Sequence, residues 1–191
     1  DIHNKTVTIT GGTLDFTGLG GDAHLGDHIT FENITLTFTE NTKLYANGYK
    51  VKMGTGVTMT NPIKIFGGKN GGTADSANLT LLSGEYTEIY GGSYNGNIIG
   101  DTHLYVGGNV NANVDVTSHS RIAVIYGGSY ISGGNTQTIG GTAYTVFTDS
   151  AKANYLYGGN YGSGNISGGT NITVSGGATM AVYGANGSGD Y

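Results

Sequence analysis

Tyrosine is the residue type whose spacing most suggests chemistry, because it occurs 14 times and several copies recur in one short phrase. An aliphatic residue, an aromatic residue and a glycine make up that phrase, with a second tyrosine four residues after the first in three copies. The phrase occurs as Ile65-Phe66-Gly67-Gly68, Ile89-Tyr90-Gly91-Gly92, Ile125-Tyr126-Gly127-Gly128, Leu156-Tyr157-Gly158-Gly159 and, degraded, Val182-Tyr183-Gly184-Ala185.

Exposed aromatic rings beside Asn and Ser can cover the apolar faces of sugars while hydroxyls and amides bond the sugar hydroxyls. The tyrosines therefore predict a carbohydrate-binding surface formed by Tyr90, Tyr94, Tyr126, Tyr130, Tyr157 and Tyr161. The simpler interpretation is that identical rings stack between turns for stability alone.

A second candidate is the polar segment that contains Asp22, His24, Asp27 and His28, with His3 elsewhere. Carboxylates and imidazoles are ligands for zinc or calcium. A polar turn explains the same residues more simply, so we expect neither a metal site nor a cofactor.

Catalysis on a polysaccharide would require clustered carboxylates or basic residues on one face. The closest pair is Asp101 and His103, which we interpret as a turn residue followed by an outward side chain, and Arg121 is the only arginine. We therefore expect no catalytic residue and no enzyme activity, with a polysaccharide lyase or hydrolase as the alternative of a different class.

Threonines offer a further alternative. If the groups Thr6/Thr8/Thr10, Thr35/Thr37/Thr39 and Thr58/Thr60 aligned, they would form a flat face of the kind that binds ice. The pattern becomes irregular after residue 60, and alternating threonines are also common in ordinary β-strands. An ice-binding solenoid is therefore only a second alternative.

Short β-strands must position all of these residues, because no segment keeps a helical apolar period and glycine recurs throughout. From residue 63 a first strand ends in the phrase, with the aliphatic residue inward and the aromatic ring outward, on the face of Lys64 and Glu88. Second strands have the predicted inward pairs Leu79/Leu81, Leu104/Val106, Tyr144/Val146 and Ile172/Val174. We expect a third short strand or a corner at Ile98, Ile139 and Ile166, and an extra strand at Val114 and Val116.

The phrase repeats at spacings of 24, 36, 31 and 26 residues, which is typical of solenoids. We predict an all-β parallel β-helix of seven or eight turns, with a β-prism or a β-sandwich as alternatives. Residues 1–62 should form an N-terminal cap and atypical first turns, and residues 63–191 the repetitive turns of the same domain. We expect the sequence to be a fragment of a longer chain, since solenoids require capped ends.

Composition excludes several classes of protein. The net charge is −5 and the sequence has no basic run, so a nucleic-acid partner is not expected. No apolar run approaches the roughly 18–20 residues of a membrane span, and no signal-peptide pattern begins the sequence. Glycine occurs 37 times and proline once, without the three-residue period of collagen. The absence of cysteine is compatible with a bacterial cell surface.

The Tyr-Gly-Gly-Ser-Tyr phrase, followed by Gly-Asp-Thr or Gly-Gly-Thr and an Ile/Leu-x-Val strand, resembles the Gly/Tyr/Asn-rich β-solenoid repeats of large bacterial surface proteins. The resemblance covers residues 63–191 and implies an adhesin-like or autotransporter-passenger-like protein. It implies an extracellular location, at the bacterial surface or secreted, and a role as a stalk or adhesion module. A host or cell-wall polysaccharide, or another surface protein, would be the partner. The resemblance carries over no site residues.

Overall fold

The computed structural model describes residues 5–117 and 123–187, which form a parallel β-solenoid of about seven turns. Every strand pairing among these residues is parallel, and each strand pairs with the equivalent strand of the next turn. This pairing confirms the predicted parallel β-helix. A β-sandwich or β-prism, the alternative folds, would require antiparallel neighbours.

Within the described ranges, twenty-one strands, numbered in chain order, form four sheets. The first sheet contains β1 (Val7–Thr10), β4 (Ile29–Glu32), β7 (Lys50–Met53), β11 (Ala77–Leu81), β14 (Thr102–Val106), β17 (Ala143–Phe147) and β20 (Thr170–Val174). The second sheet contains β3 (Asp22–His24), β6 (Lys43–Tyr45), β9 (Ile63–Phe66), β12 (Tyr86–Tyr90), β15 (Val124–Tyr126), β18 (Lys152–Tyr157) and β21 (Ala178–Tyr183). The third sheet contains β2 (Thr13–Asp15), β5 (Thr35–Thr37) and β8 (Thr58–Met59), and the fourth contains β10 (Thr73–Ala74), β13 (Asn97–Ile98), β16 (Thr138–Ile139) and β19 (Asn165–Ile166).

A short 3-10 helix, Thr17–Leu19, lies between β2 and β3. No helix in the described ranges is both long and apolar enough to cross a membrane.

The hydrophobic core lies between the first and second sheets and follows aliphatic columns from turn to turn. Pairing in the second sheet places seven inward residues in one column: Ala23, Leu44, Ile65, Ile89, Ile125, Leu156 and Val182. The column is buried as far as Leu156, which confirms the predicted aliphatic position of the phrase. Val182 is 45% exposed, because no described residues form a further turn over it.

The inward positions of the first sheet agree with the prediction except at β17. Leu79, Leu81, Leu104 and Val106 are buried as expected, and Ile172 packs against the core. In β17 the predicted inward pair Tyr144/Val146 is wrong: pairing with β14 turns Ala143, Thr145 and Phe147 inward instead. Val174 pairs with Phe147 in the inward column but is 48% exposed at the last turn.

The segment between β14 and β15 contains the longest insertion of the solenoid. The extra strand predicted at Val114 and Val116 is wrong, because residues 107–117 form turns and irregular structure without strand pairing. Val114 is nevertheless buried, so it anchors the insertion without joining a sheet. Ile98, Ile139 and Ile166 do lie in short strands, as predicted, and pair as one column of the fourth sheet.

The proposed division at residue 62 falls within the third turn, between β8 and β9. Strands before and after that position belong to the same first and second sheets. Residues 5–62 therefore contribute turns to the same solenoid as the residues that follow them.

Candidate functional site

Seven aromatic side chains form one stack on the outer side of the second sheet. We call this stack the inner ring column, because a second stack of rings covers it. Neighbouring ring centroids lie 4.7–5.0 Å apart, with interplanar angles of 20° or less. The column consists of His24, Tyr45, Phe66, Tyr90, Tyr126, Tyr157 and Tyr183. Because parallel strands in register repeat at about 4.8 Å, each ring falls directly over its neighbour.

Most of the inner ring column is buried, so the predicted exposure of its tyrosines is wrong. Tyr90 and Tyr126 are each 1% exposed and Tyr157 is 9% exposed. The predicted alternation of inward and outward side chains along the strand was correct, since these rings form a cluster separate from the aliphatic core. The error lay in assuming that the outward side of a strand faces solvent.

A second stack covers the first, and we call it the outer ring column: Tyr94, Tyr130 and Tyr161. Its rings are stacked 4.7–4.8 Å apart. Each stands edge-on to a ring of the inner column, as Tyr130 does to Tyr90 at 5.7 Å and 89°. This pairing buries the inner column and leaves the outer rings half-buried.

Stacking leaves few ring faces open to a ligand. In the outer column Tyr130 lies between two rings, and Lys43 Nζ lies over Tyr94, 5.0 Å from the ring centroid. A sugar that stacks on an aromatic face requires that face to be free. What these tyrosines present is therefore mainly ring edges and hydroxyl groups. Burial raises the pKa of both Tyr130 and Tyr157, so these phenols stay protonated beyond their ordinary range.

Glycine pairs allow the chain to turn sharply after each inner ring in turns three to six. A Cβ at Gly91 would collide with the carbonyl oxygen of Gly127 in the next turn. A Cβ at Gly92 would collide with the Ser129 hydroxyl. The corners of successive turns thus approach too closely for any side chain at these positions.

A polar column in the same corners was missed by the sequence reasoning. Backbone N–H groups donate to side-chain oxygens of the following turn: Ser93 to Ser129 Oγ (2.9 Å), Ser129 to Asn160 Oδ1 (2.7 Å) and Asn160 to Asn186 Oδ1 (2.8 Å). Ser93, Ser129 and Asn160 are buried. The available signal was a Ser or Asn three residues after each phrase tyrosine. These bonds satisfy the backbone donors that the glycine corners leave unpaired.

A cavity of 310 Å³ lies beside the two ring columns. Among its lining residues, Lys64 Nζ contacts Glu88 Oε1 at 2.8 Å, and the Tyr90 hydroxyl donates to Glu88 Oε2 at 2.8 Å. Tyr126 also lines the cavity, but its hydroxyl is buried and has no hydrogen-bond partner among the described residues. The charged groups of the cavity thus compensate each other.

Asp22 and His24 of the polar segment lie in strand β3 rather than in the predicted turn, and a bend at Asp27 follows. His24 stacks on Tyr45, and His28 Nδ1 accepts a bond from the Lys50 backbone N–H (2.8 Å). No group of three or more His, Cys, Asp or Glu side chains in the described ranges could hold a metal ion. His3 and Arg121 lie outside the described residues.

The pair predicted as the nearest approach to a catalytic site is loosely arranged. His103 Nε2 and Asp101 Oδ2 are 4.0 Å apart, and both side chains are about half exposed, at 51% and 45%. The His103 ring stacks on Tyr144 at 5.0 Å, so it takes part in a surface column of the first sheet.

Alignment of the threonine groups in one face was predicted for the ice-binding alternative, and it is wrong. Thr8 pairs with Thr30 in the first sheet, whereas Thr35 pairs with Thr13 and Thr58 in the third. The Thr35 and Thr58 hydroxyls bond each other at 3.0 Å. Two short threonine columns on different sheets therefore replace the single flat face.

Compared with protein-family models, with curated proteins and with solved structures, the chain shows no match.

Proposed function

We propose that this solenoid is a non-enzymatic structural module, a stalk or spacer in an extracellular protein of a bacterial surface. The observation that carries the proposal is the inner ring column, which continues without interruption through all seven turns. Residues that are repeated in a binding face would be expected to remain open. Here the repeated rings contact one another between turns instead.

The energetics of the repeat support a stiff rod. Strand pairing joins each turn only to its neighbours, so the stability of the solenoid is approximately a sum of turn and interface terms. Aromatic pairs add about 0.5–1.5 kcal/mol each beyond the area that they bury. Stacks that run along the axis resist separation of the turns when tension is applied there. Few charged side chains (11%) limit dependence on salt.

An adhesion role is the finer version of the proposal, with a polysaccharide or another surface protein as the partner. Among the tyrosines predicted to bind, Tyr94, Tyr130 and Tyr161 are the ones that reach the surface. Their edges and hydroxyls can contribute hydrogen bonds to a polar ligand.

The test of the stalk role is a single-molecule pulling experiment on the isolated solenoid. Since the sequence has no cysteine, handles can be attached at introduced cysteines in β1 and β21. We expect distinct force peaks, which weaken in Tyr126→Ala and persist in Tyr126→Phe, the matched variant that keeps the ring. Extension without a peak, as in an unfolded chain, would contradict the proposal. Release of reducing or unsaturated sugars from polysaccharides would favour the enzyme class instead.

A further inference from the structure

We infer that Tyr130 and Tyr161 form a modification site, at which a one-electron oxidant joins the two rings in a dityrosine cross-link between the fifth and sixth turns. Such a link requires two phenol rings held together, an exit for their protons and access for the oxidant. The outer ring column provides all three. This inference goes beyond the stalk role, which stands whether or not the link forms.

The geometry of the pair suits the bond that must form. The rings of Tyr130 and Tyr161 are stacked with centroids 4.7 Å apart and planes 3° from parallel. Their backbones pair directly at a parallel bridge, so the two turns hold the rings in register. The unpaired electron of a phenoxyl radical occupies orbitals perpendicular to the ring, so rings that lie face to face direct these orbitals at each other. Holding two reactants in this way strongly favours their reaction over an encounter between separate molecules.

The reaction balances with the oxidant as the only co-reactant. Each ring gives one electron to the oxidant and its hydroxyl proton to water, which leaves two phenoxyl radicals. The two unpaired electrons then form one carbon–carbon bond between an ortho carbon (Cε) of each ring. The hydrogen on each of these carbons moves to the phenol oxygen of its own ring, which restores both hydroxyls. The net change is the loss of two electrons and two protons.

Proton release favours the outer ring column over the inner one. The Tyr126 side chain is 1% exposed, and its hydroxyl has no hydrogen-bond partner in the part of the chain that the structure describes. An electron lost there would leave a proton without an acceptor. Tyr130 and Tyr161 are half-buried and line the cavity beside the ring columns, so water can take their protons.

Charge selects the pair within the outer ring column. Tyr94 and Tyr130 are stacked equally well, at 4.8 Å and 2°. Lys43 Nζ, however, lies 5.0 Å from the centroid of the Tyr94 ring, and a cation over a ring opposes the loss of an electron from it. At the other end of the column, Tyr161 has Gly187 at the equivalent position of the next turn, which places no side chain over its second face. Oxidation is therefore easiest at Tyr161 and Tyr130.

Photo-oxidation of the intact chain tests the site, with a ruthenium–bipyridine complex as the oxidant and persulfate as the electron acceptor. Trypsin cleaves after Lys152, so Tyr130 and Tyr161 lie on separate peptides that the link would hold together. We expect a fluorescent monomer whose digest contains this joined pair, with the bond located at the two tyrosines by tandem mass spectrometry. Tyr130→Phe keeps the ring without the phenol, so it should abolish the joined pair. Tyr144→Phe, on the same peptide as Tyr130 and at an exposed position, should leave its yield unchanged.

Urea provides a second measurement. Oxidation of the unfolded chain should not favour this pair, because a flexible segment then separates the two rings. The chain that is cross-linked while folded should unfold at a higher urea concentration than the untreated chain, because a covalent link constrains the unfolded state as a disulfide does.

Four results would overturn the inference. They are the absence of dityrosine, links mainly between molecules, a bond mainly at Tyr94, Tyr144 or Tyr183, and a joined pair that persists in Tyr130→Phe. An unchanged urea midpoint of the purified cross-linked chain would overturn it as well, since the link would then not hold the two turns together.

Discussion

The first three turns and the last four turns of the solenoid differ in the corner that carries their third strand. In the first three, the third sheet (β2, β5 and β8) lies between the first sheet and the second along the chain. In the last four, the strands of the fourth sheet (β10, β13, β16 and β19) lie along the chain between the second-sheet strand of one turn and the first-sheet strand of the next turn. The two large sheets and the inner ring column run through both regions unchanged.

The corners themselves also differ in chemistry. In the second turn the corner after the second sheet is formed by Ala46 and Asn47, and Asn47 adopts a positive φ of 57°. From the third turn to the sixth it is formed by paired glycines, and from the fourth turn onward the Ser/Asn column and the outer ring column follow them. The two large sheets therefore form the same core in both regions, whereas the corners differ in structure and in residue type. Features that could bind a partner are therefore concentrated in the corners of the later turns.

Removing one ring from the inner column in each region should have the largest effect. Tyr45→Ala and Tyr126→Ala should each lower the free energy of unfolding by about 3–5 kcal/mol, as expected for a large buried aromatic side chain. Urea denaturation monitored by circular dichroism measures both, with the corresponding Phe variants as controls. Similar losses of stability would support one continuous stack. A loss confined to one region would show that the stack stabilises only that region.

A methyl group in the glycine corner should affect the later turns strongly. Gly91→Ala should cost up to about 3 kcal/mol, because its Cβ would meet the backbone of Gly127 and overpacking forces the backbone to shift. Gly184, at the same phrase position in the last turn, has open space around it and is the matched control. Thermal denaturation should separate the two variants. Equal tolerance of both would show that the turns are not so closely spaced.

Loss of one link in the polar column should have an intermediate effect. Asn160→Ala removes the acceptor of the buried Ser129 N–H, which should cost about 1–3 kcal/mol. Asn171→Ala, at an exposed position of β20, should change stability by less than about 0.5 kcal/mol. Hydrogen exchange at the Ser129 amide provides a local measurement, since it should accelerate in Asn160→Ala alone.

Alkaline pH should produce the smallest effect under ordinary conditions. Burial raises the pKa of Tyr45, Tyr86, Tyr130 and Tyr157 above its ordinary value of about 10. The unfolded chain therefore loses these protons first, and stability that is fully present below pH ~10 should fall as the pH rises further. Urea midpoints at pH 8 and pH 11 measure this change, and Tyr86→Phe should reduce it. An unchanged midpoint at pH 11 would contradict the burial of these phenols.

The sequence allowed much of the fold to be predicted, because the solenoid repeats its chemistry at every turn. Residues such as Ile65 and Ile89 keep their aliphatic character in every copy, so the inward column could be recognised directly. At β17 the rule failed, since the small Thr145 faces inward and the large Tyr144 outward, against their hydrophobicity. Pairing with β14 decided the register there, and single-sequence alternation does not reveal pairing.

The candidate site could be predicted only in part. The two tyrosine columns follow from their spacing, but their mutual burial depends on how the corner brings Tyr130 over Tyr90. Val124 shares a column with Glu88, which becomes visible only when the strands are aligned. Distances across turns therefore determined what the spacing alone did not.

Nitration of the native chain tests most directly whether the repeated tyrosines face one another within the solenoid. After brief treatment with tetranitromethane, peptide mass spectrometry reports the modification of each tyrosine. We expect Tyr144 and Tyr183, at 36% and 45% exposed, to be modified while Tyr90 and Tyr126, at 1% each, are protected until the chain unfolds. Modification of Tyr90 and Tyr126 at the rate of Tyr144 would contradict this expectation.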